Sequence, residues 1–122
     1  MATIKPTVRA VGRGDGSTLQ IIWTPVTEAD TCAPVEFPEC SDKSIQVLGT
    51  FGGASVALNG SNNNGTTFAP LSDPGGTVIA ITSAKIKAVL ENTQQIQPVA
   101  SGGTSQSLTI AMLVHLTNPL RQ

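Results

Sequence analysis

The stretch from Gly49 to Asn62, Gly-Thr-Phe-Gly-Gly-Ala-Ser-Val-Ala-Leu-Asn-Gly-Ser-Asn, joins an alternation of period two to dense turn chemistry. Successive side chains of a strand point to opposite faces, so Val56 and Leu58 belong on a core side while Ser55, Ala57 and Asn59 face away. Gly52-Gly53 supplies the backbone freedom that a reversal needs. The segment therefore predicts strand, tight turn, strand. The rhythm continues with Asn62-Asn63-Asn64-Gly65 as a loop, Thr66-Thr67-Phe68 as a short extended piece and Ser72-Asp73-Pro74-Gly75-Gly76 as a turn.

The same punctuation runs along the rest of the chain. Thr7 to Val11 can be extended and precedes the turn signal Gly12-Arg13-Gly14-Asp15-Gly16. Leu19 to Thr24 reads as a strand closed by Pro25, and further extended pieces are expected at 44–51, 55–59, 66–69, 77–82, 86–90, 95–100 and 107–116. In the last of these, Leu108, Ile110, Met112, Val114 and Leu116 share one face, while Thr109, Ala111, Leu113 and His115 make the other, so both sides are at least partly covered. Ser83 could cap a helical turn over 83–91, but the β-branched Ile86 and Val89 favour an extended segment. Short strands at near-regular spacing, with Gly, Pro and Asn between them, predict an all-β fold. The expected form is a single-domain β-sandwich, jelly-roll or immunoglobulin-like, over residues 17–122, preceded by an N-terminal arm or edge strand at 1–16.

Charge narrows the function classes. Only 12% of the 122 residues are charged and the formal net charge is −1, so the surface is finished with Ser, Thr, Asn, Gln and Gly. Such a surface suits a protein packed against neighbours better than a free monomer, which charge helps to keep apart. Lys5, Arg9 and Arg13 lie near the start but form no dense basic run with interleaved aromatics, which argues against nucleic-acid binding. No stretch approaches the roughly 18 apolar residues of a membrane span, and the start lacks the apolar core of a secretory signal. A cytosolic beginning without membrane association is expected.

Residues 28–42 differ from their surroundings. Glu28, Asp30, Glu36, Glu39 and Asp42 are acidic, nothing within 28–42 is basic, and Pro34 and Pro38 interrupt regular structure, so a long acidic loop is expected. Within it Cys32 and Cys40 enclose two prolines. A disulfide there is sterically open and would stabilise by ~2–3 kcal/mol through loop closure, whereas a cytosolic start favours free thiols; both alternatives stand. Two cysteines and one histidine make no convincing zinc site, and no cofactor or metal is expected.

The other tempting signals have plainer accounts. Arg13-Gly14-Asp15 matches an integrin-binding tripeptide yet lies in a glycine-rich turn, and Gly12-x-Gly14-x-Gly16 lacks the lysine and spacing of a phosphate loop. His115 has no nucleophile or carboxylate at predictable spacing, and Glu91 has no carboxylate partner for glycoside hydrolysis. Trp23 shares a strand face with Ile21 and is expected in the core, and Asp73 is expected to hold its turn. Asn62 to Asn64 carry amides suited to sugar hydroxyls, but a solvated hairpin tip is the simpler reading.

The series from Gly49 through Asn62, followed by Phe68, Leu71, Asp73, Ile86, Val89, Glu91, Ile96, Pro98 and Gly102-Gly103 before an alternating strand, resembles a group of small virion proteins of tailed bacteriophages. Those assigned a role include capsid decoration, or cement, proteins. The resemblance covers about residues 44–116; residues 1–43 take no part in it. It implies a non-enzymatic structural protein on the capsid exterior that binds the major capsid protein, cements its contacts and is itself a dimer or trimer. Residues at the arm and the acidic loop are the natural ones to reach a neighbour: Ile4, Pro6, Val8, Arg9, Glu28, Asp30, Glu36, Phe37 and Glu39. The alternatives are a carbohydrate or host-surface binding module and a tail or fibre component. The module is disfavoured by an aromatic content of 3%, with one Trp and no Tyr for sugar stacking.

Overall fold

The computed structural model describes residues 3–11, 18–27, 30–36 and 40–116, and the side chains of all of these except Cys40, Ser41 and Leu116. The described chain is all-β. Its strands are β1 (Thr3–Ile4), β2 (Thr7–Ala10), β3 (Thr18–Thr27), β4 (Thr31–Cys32), β5 (Val35–Glu36), β6 (Cys40–Thr50), β7 (Ala54–Ser61), β8 (Ala69–Pro70), β9 (Ala80–Ile81), β10 (Lys85–Val89), β11 (Gln95–Gly102) and β12 (Ser107–Leu116).

They form a sandwich. The first sheet has the order β10-β6-β12-β3-β2 with antiparallel neighbours throughout. The second has the order β5-β11-β7-β8, with β9 also paired to β7. A small parallel ribbon joins β1 to β4. The inward positions of both sheets meet in one core that contains Ile21, Trp23, Ile45, Val47, Val56, Leu58, Ile96, Leu108, Ile110, Met112 and Val114. Val56 and Leu58 are fully buried, as the alternation predicts, and Ser55, Ala57 and Asn59 are half-buried on the outer side. Trp23 is fully buried and donates its indole N–H to the Ala33 carbonyl at 2.9 Å.

Two local expectations change here. The glycine turn after Thr50 does not close a hairpin, because β6 belongs to the first sheet and β7 to the second. It is a crossover. Gly52 adopts φ +57°, and a Cβ there would run into the Thr104 carbonyl of the facing turn, so the position requires glycine. Pro25 does not end β3 either: the strand runs on to Thr27. The register against β12 shifts between Leu108 and Ile110, opposite Val26 and Trp23, and such an irregularity lets a strand carry a residue that cannot donate to the ladder. Within 83–91 the extended reading holds: β10 pairs along β6 from Lys85 to Val89.

The acidic stretch is also not a free loop where it is described. β4 and β5 lie within it and β6 starts at Cys40. Asp30 closes the turn after β3 by accepting the Thr27 amide at 2.9 Å and the Thr27 hydroxyl at 2.6 Å. Glu28, Phe37, Glu39 and the turn at 12–16 lie outside the described residues.

Candidate docking surface

Two regions far apart in sequence meet along one side of the sandwich. Thr3 and Ile4 pair with Thr31 and Cys32, and the Ala33 amide donates to the Ile4 carbonyl at 2.9 Å. Side chains from both sheets pin this ribbon: Trp23 of β3 binds the Ala33 carbonyl, and Gln97 of β11 donates to the Cys32 carbonyl at 2.8 Å. On either side of it, β2 ends the first sheet and β5 ends the second. Ile4, Pro6, Val8, Arg9, Asp30 and Glu36 therefore border a common wall.

The wall is unevenly covered. Ile4, Pro6 and Asp30 are half-buried, whereas all four residues of β2 are exposed, Val8 at 42%. Arg9 is fixed by a 2.8 Å bond from its Nε to Gln20 Oε1, and Glu36 accepts longer bonds from Gln95 and Gln94. A terminal strand with an unpaired backbone edge is a template for another chain. The N-terminal residues thus serve as an edge strand of the sandwich; over 3–11 they are paired to it and do not trail away as an arm.

Cys32 is a free thiol, buried to 2% exposure, and the side chain of Cys40 lies outside the described residues. Burial, aided by the negative charge of Asp30, pushes the Cys32 thiol up to about 11. A neutral thiol is a poor nucleophile and a poor metal ligand.

A second surface was only half legible. On the outer side of the first sheet, cross-strand partners line up as Thr7, Ile22, Ala111, Gln46 and Ile86, and in the next row as Arg9, Gln20, Leu113, Ser44 and Ala88. Between them lies a shallow groove of about 200 Å³ bordered by Gln20, Ser44, Gln46, Ile86, Ala111 and Leu113. The alternation of β12 exposes this face in the sequence, but only the register shows which residues of β3, β6 and β10 complete it.

The amide-rich end is largely self-satisfied. Asn63 Oδ1 accepts from the Ser61 hydroxyl at 2.7 Å and the Thr67 amide at 3.0 Å, while Asn62 Oδ1 accepts the Gln94 amide at 2.9 Å. The Asn64 amide donates to Gln94 Oε1 at 2.9 Å, and Gln94 Nε2 donates back to Asn64 Oδ1 at 2.6 Å. Nearby, Asp73 Oδ1 accepts the Gly75 and Thr77 amides at 3.0 and 3.1 Å, and its Oδ2 meets Lys87 Nζ at 3.2 Å. The Thr77 bond first, then Lys87, hold its carboxyl below the usual range. Asp73 holds its turn, as the sequence suggests. Glu91 is likewise lowered, chiefly by the Ser72 amide it accepts at 2.6 Å.

Among the described residues no three metal-ligating side chains come together. His115 is exposed on β12, with Thr18 and Asp42 as its strand partners.

No protein-family model matches this chain, and no curated protein does. Among solved structures it is similar to the protein NMB1881 from Neisseria meningitidis, at 12% identity and a TM-score of 0.40, over 92% of this chain and 83% of that one. It is also similar to IMPa from Pseudomonas aeruginosa, solved in complex with an O-glycopeptide, at 15% identity and a TM-score of 0.45. That match spans 84% of this chain but 13% of IMPa.

Proposed function

We propose that this chain is a structural virion protein that binds the outer surface of a phage capsid and cements neighbouring major capsid subunits, docking through the wall formed by β1, β2, β4 and β5. The observation that carries the reading is the convergence of the N-terminal residues and the acidic segment on one side, beside the edge strand β2, whose four residues are all exposed. A capsid is a repeated array, so each copy needs only a modest interface, on the order of 1,000 Å² or more, to be specific. Symmetric placement then favours a dimer or trimer on the capsid exterior. The weakly charged, hydroxyl- and amide-rich surface agrees with a life spent against other subunits.

The test is co-sedimentation with mature heads and with unexpanded precursor shells of the cognate phage, beside a glycan panel. Saturable binding to mature heads, weakened at least tenfold by Val8→Lys with Glu36→Lys, is the expected result. Point changes are preferred to deleting the segment, because β1 and β2 are part of the sandwich. If the acidic wall docks through charge, raising salt releases the protein, since screening acts within roughly 8–10 Å near physiological strength. Binding to glycans but to neither shell would move the assignment to receptor recognition, and binding to neither would favour a tail component.

A further inference from the structure

We infer that the outer face of the β10-β6-β12-β3-β2 sheet takes a second copy of this chain, the two sheets packing face to face about a twofold axis. The inference goes beyond the capsid reading and is tested on the protein alone.

The face mixes small apolar and neutral polar residues where a free surface would carry charge. Two of the large hydrophobic residues exposed among the described residues, Leu48 and Ile86, continue its outward alternation, exposed at 39% and 63%. Across the two central rows only Arg9 is charged. The row beyond carries His115 and Asp42 as strand partners.

The area is enough for one occupant of this size. Five strands at a spacing of ~4.8 Å make a face about 24 Å wide, and outward positions from Asp42 to Leu48 span about 20 Å along β6. That gives roughly 500 Å² on each copy and roughly 1,000 Å² in total, the lower bound for a specific contact and so a weak dimer.

The residue pattern is self-complementary. A twofold axis along β12 lays β2 of one copy over β10 of the other and β3 over β6. Ala111 and Leu113 then meet their own counterparts on the axis, the small Ala111 permitting close approach. Gln20 faces Ser44, amide to hydroxyl, while Thr7 faces Ile86 and Ile22 faces the aliphatic stem of Gln46. Arg9 comes over Ala88, one strand and one row from Asp42 of the other copy, so the single cation of the central rows approaches an anion and not itself. Isologous contacts require this kind of match.

Sedimentation equilibrium of the purified protein between roughly 5 and 500 μM tests it, a range set by the weak-dimer area. The expected result is a monomer–dimer equilibrium with a micromolar dissociation constant, weakened at least tenfold in Leu48→Lys with Ile86→Lys. Both sites are solvent-exposed, and an unchanged far-UV spectrum and melting curve would confirm that the variant folds. Val78→Lys, exposed at 51% beside the second sheet, should leave the constant unchanged. A parent that stays monomeric throughout, a double variant that dimerises as tightly as the parent, or an equal loss in Val78→Lys overturns the inference. Capsid co-sedimentation is a separate readout, so failure of either proposal is visible without the other.

Discussion

The two sheets of the sandwich are held by different means. In the first, β3, β6 and β12 run for 10, 11 and 10 residues, and their ladders satisfy the backbone along most of its length. In the second only β7 and β11 are long; β5, β8 and β9 have two residues each. Where its ladder stops, side chains supply the partners. Asp73 gathers the amides of its turn, Glu91 takes Ser72, Asn63 closes the 61–67 loop on itself, and Asn62 and Asn64 tie that loop to Gln94 just before β11. Long strands are stabilised by burial of their inner face, and short ones depend on polar contacts worth about 1 kcal/mol each.

That contrast makes the largest expected effect a core change in the first sheet. Trp23→Ala removes a fully buried side chain of β3 and the donor to the Ala33 carbonyl. Urea unfolding should show a loss of about 3–5 kcal/mol. Trp23→Phe should cost less, about 1–3 kcal/mol, because it keeps most of the apolar volume but leaves the carbonyl without its indole partner. A Trp23→Ala cost no greater than that of a loop substitution would break the comparison, since the first sheet would then not depend on its core.

The contrast also explains what could be read in advance. The long strands announce themselves: β12 and β7 carry clean alternation, and their inward residues Leu108, Ile110, Met112, Val56 and Leu58 are buried as expected. The sheet to which a strand belongs was not legible. Gly52-Gly53 looks the same as a hairpin turn and as a crossover, because backbone freedom serves both, and only the pairing of β6 with β12 and of β7 with β11 separates them. Short strands were equally hidden. β4 and β5 exist because β1 and β11 lie beside them, and no periodicity can appear in two residues. The candidate wall was half visible for the same reason: its residues were singled out one by one, but their juxtaposition depends on that non-local pairing.

A smaller effect sharpens the other half of the comparison. Asp73→Asn keeps an acceptor for the turn amides but removes the charge that faces Lys87. The folded carboxyl is held below its ordinary value by the Thr77 amide, by Lys87 and by Gly75. Its stabilising contribution is therefore present above the unfolded carboxylate range and lost as pH falls through the lowered folded value. The parent should melt above the variant at pH 7, and the gap should close as acidification carries the solution below the ordinary carboxylate range. A gap that is independent of pH would mean that shape, not charge, holds the turn. Glu91→Gln should behave in the same sense, because the Ser72 amide is the main cause of its lowered value.

The smallest effect concerns the thiol at the seam between the two sheets. Cys32 lies on β4, whose backbone is tied to β1 of the wall and to Gln97 of the second sheet, and its thiol is raised to about 11 by burial and then by Asp30. At pH 8 a thiol of that value is ionised about a hundredfold less than one at its ordinary 9.0. Alkylation at Cys32, located by mass spectrometry, should therefore be slow in the native protein and become fast in urea, with no change in overall stability needed to see it. The contrast is sharpened by repeating the labelling in Trp23→Ala: loss of the Ala33 anchor should loosen the β1–β4 ribbon and accelerate modification before global unfolding. Equal rates in native and unfolded protein would mean that the ribbon opens freely, and the wall would then be held by its edge strands alone.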